Sequence, residues 1–243
     1  MNKIRINWQY FILLVIVFTL IASYCFLNPF SNLLVSSKVL ITQLGPEQRS
    51  NIALACKKLN GTILMPRQIF SFNKVVGPRT AHQGYSRSPS YLETDSPMTF
   101  GGGICLVSSV LYKNALELGL KINERTAHTR TTKCIPSGFD ATVWYGQKDL
   151  RFTNNQNTPI KIEAQMDNLN LTISLYGNQG PQLYKTKLER IVHRKDKDII
   201  SVVVLRRNNK DLSLISKDLY RISSSFSDIA DNKINYDKNS NRI

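Results

Sequence analysis

The spacing of hydrophobic positions changes character along the chain. Residues 10–27, YFILLVIVFTLIASYCFL, form a continuous uncharged run, the length at which an apolar helix just reaches across a bilayer core. Trp8 and Tyr10 suit the interface of such a helix. Lys3 and Arg5 precede it, and no acidic residue occurs before Glu47. The positive-inside rule then leaves residues 1–9 in the cytoplasm and residues 28–243 outside. A cleaved signal peptide is the competing reading, but Ala22-Ser23-Tyr24 puts a bulky ring where cleavage needs a small residue. Tyr24 before Cys25 also spoils a lipoprotein site. The expectation is an uncleaved, single-pass anchor in the cell membrane.

Residues 28–44 read as a short stalk. From Pro46 the period becomes helical: PEQRSNIALACKKLNG places Ile52, Ala55, Cys56 and Leu59 on one face, with Gly61 as the stop. Short extended pieces are predicted at 62–64 and 70–76, broken by Pro66 and Gly77-Pro78. Residues 79–100 have no clear period and read as a long loop rimming a site. A second helix is predicted over 104–118, with Val107, Val110, Leu111, Ala115 and Leu118 as its apolar stripe and Gly119 as its end. Strand-like runs follow: KINER, ATVWYG, LRFTN, then PIKIEAQM and LNLTISLYG, which flank Asp167-Asn168 as a hairpin. Helices and strands are segregated, so the class is α+β: a transmembrane helix, then an exported domain with an antiparallel sheet and a Cys-bearing helix. Residues 45–178 form that domain, and residues 179–243 read as a basic, partly disordered tail with one β-like run at 199–205.

Composition narrows the partners. With 42% hydrophobic residues in 243 the chain is no disordered polymer, and four Cys make no disulfide scaffold. The formal charge is +15, which points to an anionic partner. Residues 45–178 carry 15 basic and 9 acidic side chains, while the shorter stretch 179–243 carries 14 and 8. An exported location removes nucleic acid and leaves anionic wall polymers or lipid head groups. No Walker or Rossmann glycine motif occurs in the right context, so no cofactor is expected.

The candidate chemistry centres on Gly101-Gly102-Gly103-Ile104-Cys105. Three glycines in a row cost backbone entropy, and close approach of a ligand to the backbone is one reason for them. Cys105 would then sit in the first turn of the second helix, where unpaired N–H groups and the helix dipole lower a thiol pKa. The same N–H groups suit an oxyanion. His128 and Asp140 follow on later segments, a workable order for nucleophile, base and orienting carboxylate. A glycine loop ahead of a helix that merely buries a small Cys is the alternative. Cys105, His128 and Cys134 are three zinc-type side chains without CxxC or HxxxH spacing, so no metal is expected. A Cys105–Cys134 disulfide outside the cell would silence the thiol. Cys56 reads as core.

These residues also carry a resemblance. Arg49-Ser50-Asn51-Ile52, Leu59-Asn60-Gly61-Thr62, Phe70-Ser71-Phe72-Asn73, Val75-Val76-Gly77-Pro78-Arg79-Thr80 and Gly84-Tyr85 look like the VanW family. So do GGGIC at 101–105, Ser108-Ser109, Leu111-Tyr112, Arg125 with His128, and DATVWYGQKDLRFTNN at 140–155. The resemblance implies a role at peptidoglycan in glycopeptide resistance. Some members resemble a class of L,D-transpeptidases in which the cysteine of the GGGxC motif takes an acyl group from one stem peptide and passes it to another. Carried over, Cys105 is the nucleophile and His128 the base; Gly101, Gly102, Gly103, Ile104 and Ser108 are the candidate substrate-binding residues. Asp140 as the orienting carboxylate follows from order and spacing. One departure stands out: the family pattern has Gln directly after the Cys, and here the residue is Leu106. A non-catalytic wall-binding module is the alternative function.

Overall fold

The structure is a computed structural model that describes residues 8–27, 29–89, 98–132, 134–178, 186–208, 211–222 and 234–235, without side chains at 20–27, 208 and 234–235. In chain order its elements are α1 (Trp8–Leu27), β1 (Asn32–Leu40), α2 (Pro46–Leu59), β2 (Thr62–Leu64), β3 (Ile69–Ser71), α3 (Phe72–Val76), β4 (Arg87–Ser88), β5 (Thr99–Phe100) and α4 (Ile104–Glu117). Then follow β6 (Lys121–Glu124), β7 (Arg151–Thr153), β8 (Ile160–Met166), β9 (Asn170–Gly177), β10 (Thr186–Asp196), β11 (Ile199–Asn208), β12 (Asp211–Arg221) and β13 (Ile234–Asn235). The class is α+β with antiparallel sheets.

One sheet has the order β1-β9-β8-β2 and another the order β12-β11-β10-β13. Two smaller ones are β3-β7-β6 and β4-β5. Period-2 patterning explains the first: Ile160, Ile162, Ala164, Leu171, Ile173 and Leu175 point inward and are buried, while Lys161 and Glu163 face out as an ion pair at 2.6 Å. The hairpin turns as expected at Asp167, whose Oδ1 accepts the N–H groups of Leu169 and Asn170 at 2.7 Å each.

Helix α4 lies at the centre and touches α2, β1, β9, β6 and β10. It is buried nearly all round, from Ile104 to Leu116, which is why its apolar residues spill beyond one stripe. Tyr112 over the Arg125 guanidinium and Asn114 donating to Ile173 O at 2.7 Å let its polar side chains follow it inside.

Several expectations change. The stalk expected at 28–44 contains β1, which pairs antiparallel with β9 along its length; its alternating burial at Val35 and Ser37 marks an edge strand with one face on the core. The basic tail expected from 179 holds three long strands, and Leu188, Ile200, Val202, Val204 and Tyr220 join the same core as α4. The disorder expected at the chain's end falls on 223–233 and 236–243, outside the described residues. ATVWYG is not a strand: Trp144 and Lys148 close a tight turn, with Trp144 N–H donating to Lys148 O at 2.8 Å and Gly146 at φ +79°. The loop expected at 79–100 includes a short 3-10 turn at Ala81–Gln83 and the β4–β5 pair, with residues 90–97 outside the described set. The anchor expected at 10–27 is helical, and among the described residues no helix is long and apolar enough to cross a membrane.

One polar side chain fixes the glycine turn ahead of α4. Asn51, fully buried on α2, donates through Nδ2 to Ser86 O at 3.0 Å and to Ser88 Oγ and Gly102 O at 3.1 Å each, and accepts Ser86 N–H at 2.9 Å. Asn51→Ala leaves these groups without their partner in a dry site. It is expected to destabilise the fold by about 2–3 kcal/mol in denaturant unfolding.

Candidate active site

The triple glycine owes its composition to packing. A Cβ on Gly102 would lie 2.4 Å from both Pro89 O and Ser88 Oγ, and one on Gly101, at φ +80°, would lie 2.8 Å from Arg79 Cγ. Gly103 caps α4 in the left-handed region at φ +94°. Two N–H groups of the first turn are occupied, Ile104 donating to Gly101 O at 3.2 Å and Leu106 to Gly103 O at 3.0 Å. The N–H of Cys105 is the first-turn donor with no backbone acceptor among the described residues.

Cys105 is buried, 9% exposed, and its Sγ lies 3.7 Å from Val143 O. It borders two spaces. A cavity of about 260 Å³ is walled by Pro78–Thr80, Thr99–Cys105 and Val143–Tyr145. A narrow cleft on the other side joins Cys105 to His128, Thr132 and Cys134. Cys56, Cys105 and Cys134 are thiols with no disulfide between them. Among the described residues no group of three or more His, Cys, Asp or Glu side chains is arranged to hold a metal.

The structure brings Cys105, His128 and Asp140 together. Asp140 Oδ2 accepts both the backbone N–H and the ring Nδ1 of His128, each at 2.7 Å. A carboxylate only accepts, so Nδ1 carries the proton and Nε2 is left for the thiol. That Nε2 is buried without a partner in ordinary hydrogen-bond geometry among the described residues, in the cleft it shares with Cys105. Asp140 Oδ1 accepts from Arg125 Nη2 at 3.0 Å, Tyr220 Oη at 2.7 Å and Gly138 N–H at 3.0 Å. Arg125 also donates to Asp140 O at 2.7 Å and pairs with Asp218.

The ionisations follow. Burial pushes the Cys105 thiol up, but His128 beside it, the Val143 backbone and the Arg79 charge outweigh it, leaving the thiol below its ordinary 9.0. Burial lowers His128, yet hydrogen bonding to Asp140 and Cys105 raises it from 6.5 to about 9. Asp140 is raised by burial and lowered further by His128 and Arg125, so its carboxyl stays well below the usual range. All three shifts move the pair toward thiolate and imidazolium.

Ser108 does not line the large cavity. It is fully buried, and its Oγ donates to Ala141 O at 2.7 Å and to Cys105 O at 3.1 Å, tying α4 to the segment after Asp140. Gly101, Gly102, Gly103 and Ile104 do border the large cavity. Leu106, where the family pattern has Gln, is buried against the cleft. Three residues escaped the sequence reading. Tyr220 and Asp218 sit on β12 in what read as a tail, and nothing local marks them. Arg79 lay inside a quoted motif, and a lone arginine beside a predicted loop was the available signal.

The model of a family described as "VanW like protein" matches residues 47–176. A Bacillus subtilis (strain 168) protein named "Uncharacterized protein YoaR" is 38% identical over 149 residues, covering 61% of this chain and 49% of that one. The "Vancomycin B-type resistance protein VanW" of Enterococcus faecalis (strain ATCC 700802 / V583) is 28% identical over 141 residues, covering 56% and 51%. The chain thus spans about half the length of these curated relatives. No solved structure matches it. Cys105, His128 and Asp140 fall within the matched segment, and β1 and β10–β12 fall outside it.

Two expectations can be measured. Iodoacetamide alkylation of Cys105, read by peptide mass spectrometry against pH, is expected to inflect below 9.0; in His128→Ala burial is opposed only by the Val143 backbone and Arg79, and the inflection moves to higher pH. An inflection that ignores His128 would sink the pairing. Asp140 has a depressed folded pKa, so its contribution to stability is present above its unfolded 3.8 and is lost as pH falls toward the folded value. In Asp140→Asn, which cannot ionise, that part of the acid limb of unfolding free energy against pH is expected to vanish.

Proposed function

The chain belongs to the VanW family, and from that footing we propose that it is a peptidoglycan-modifying cysteine acyltransferase of the L,D-transpeptidase type. The observation that carries the reading is the buried thiol of Cys105 at a helix start, beside a histidine whose other nitrogen is held by Asp140.

In the proposed reaction the Cys105 thiolate attacks the carbonyl between the L- and D-centres of a tetrapeptide stem. The carbonyl oxygen takes the negative charge against the Cys105 N–H. The C–N bond breaks, His128 gives its Nε2 proton to the departing D-alanine amine, and a thioester remains. An amine of a neighbouring stem then attacks the thioester, passes its proton to His128 and restores the thiol. Water in place of the amine makes the same site a carboxypeptidase. Stems that already lack the last residue fit a role in resistance to a drug that binds D-Ala-D-Ala, and the name of the enterococcal relative is in keeping with that.

The rest of the reading concerns place. Large apolar side chains on α1 are exposed from Trp8 to Phe18, which supports a membrane anchor, and Lys3 and Arg5 ahead of it support a folded domain outside the cell. Because β1 begins at Asn32, five residues after the end of α1 at Leu27, the domain would stay within about 18 Å of the anchor's end. Basic side chains on β10–β12 would face anionic wall polymer or lipid head groups. A non-catalytic module for wall binding or glycopeptide resistance is the second reading. It rests on Leu106, because losing one oxyanion donor costs about 10²–10³ in rate.

Full-length protein in detergent, incubated with disaccharide-tetrapeptide, is expected to give a Cys105 adduct carrying the stem less its D-alanine, or a cross-linked product, by mass spectrometry. Cys105→Ala should abolish both; undiminished product in that variant overturns the mechanism. Binding with neither adduct nor turnover favours the module.

A further inference from the structure

The wall of the large cavity beside the glycine turn contains a cation whose charge favours the Cys105 thiolate but which no bond-making or proton-transfer step of the acyl transfer uses. Arg79 borders the cavity together with Cys105, Trp144 and Tyr145. Its Nη1 donates to Asn73 Oδ1 at 2.6 Å, and its Nη2 is buried with no hydrogen-bond partner among the described residues. The guanidinium lies between ring faces, 5.5 Å from the Phe72 centroid and 5.9 Å from that of Tyr145. No carboxylate comes within ion-pair distance of it among the described residues.

This cation is held in place from several sides. Asn73 donates through Nδ2 to Lys148 O at 2.9 Å, and its backbone N–H reaches Asp149 at 2.8 Å. Gly101 leaves room for the arginine stem, since a Cβ there would overlap it. A half-buried charge with no carboxylate in ion-pair contact is costly, and an anion that docks beside it offsets that cost. Arginine also presents paired N–H donors that match the two oxygens of a carboxylate.

We propose that Arg79 is the specificity-determining residue of the Cys105 cavity and that it selects peptides bearing a free carboxylate beside the reacting amide. This rests on the acyltransferase reading for the identity of the peptide, and it goes beyond it by naming the chemical group recognised and the residue that recognises it. A carboxylate can come from the peptide's C-terminus or from the side chain of a diamino acid such as diaminopimelate. Both carry the same charge, and an experiment separates them.

The test is protection of Cys105 in the full-length protein from iodoacetamide, read by peptide mass spectrometry at that residue. N-acetyl-L-lysyl-D-alanine is compared with its C-terminal amide and with the diaminopimelyl counterpart amidated at its C-terminus. A carboxylate-bearing peptide is expected to half-protect at a concentration on the order of 10- to 100-fold lower than the lysyl amide. Preference for the lysyl acid assigns the C-terminal source, preference for the diaminopimelyl amide assigns the side chain, and equal success of the two shows that either carboxylate serves. In Arg79→Gln the ratio should collapse toward one, and Arg79→Lys, which keeps the charge but loses the fork, should retain part of it. Equal protection by all three peptides in the unmodified protein, or an undiminished ratio in Arg79→Gln, overturns the proposal. Protection does not require acyl transfer. Selective protection without any adduct would therefore remove the acyltransferase reading and leave the carboxylate site standing, whereas turnover without acid-over-amide selection would do the reverse.

Discussion

The carboxylate of Asp140 is the point on which the site depends. It is nearly inaccessible to solvent, and five donors converge on its two oxygens: two from His128, and one each from Arg125, Gly138 and Tyr220. A buried anion survives only when it is paired and fully hydrogen-bonded. Here that requirement draws together the segment after β6, the turn at Gly138 and strand β12. The imidazole orientation is a by-product of the same constraint, since the oxygen that takes the His128 backbone N–H also takes its ring N–H. Removing any one donor leaves an anion under-satisfied in a dry setting, so the group is better regarded as a unit than as separate contacts.

A second framework positions Cys105. Asn51 on α2 clamps Ser86, Ser88 and the carbonyl of Gly102, while Ser109 Oγ donates to Cys105 O at 2.6 Å and accepts Ala141 N–H at 2.9 Å. The glycine turn is thus squeezed between β4 and the Arg79 stem. The absence of side chains at 101–103 reflects that compression more directly than any need to admit a ligand.

Local periodicity made much of this legible. The helix of Ile52, Ala55, Cys56 and Leu59, the Cys-bearing helix and the hairpin around Asp167 were all readable, because each is set by near neighbours in sequence. Cys105, His128 and Asp140 were readable as residue types in a workable order and as positions in a family pattern. What was hidden involves long-range pairing. Strand β1 finds its partner at 170–177, so a nine-residue piece beside an apolar helix looked like a spacer. The strands from Thr186 onward carry their charge, Arg190 apart, on exposed or half-buried positions, and the averaged composition concealed Leu188, Val202, Val204 and Tyr220 on the buried face. Tyr220 could not be connected with Asp140 without the fold, since no spacing rule links them.

The position of Tyr220 and Asp218 has a consequence for timing. The chain is synthesised from its amino end, so Cys105, His128 and Asp140 all exist while β12 does not. Until that strand reaches its place beside Thr129 and Thr131, Asp140 lacks the Tyr220 hydroxyl and Arg125 lacks Asp218. His128 therefore gains the full support of its Asp140 partner only once β12 is in place. A chain that ends before β12 holds Cys105, His128 and Asp140 without the Tyr220 and Asp218 contacts, so completion of the fold and completion of this buried network coincide.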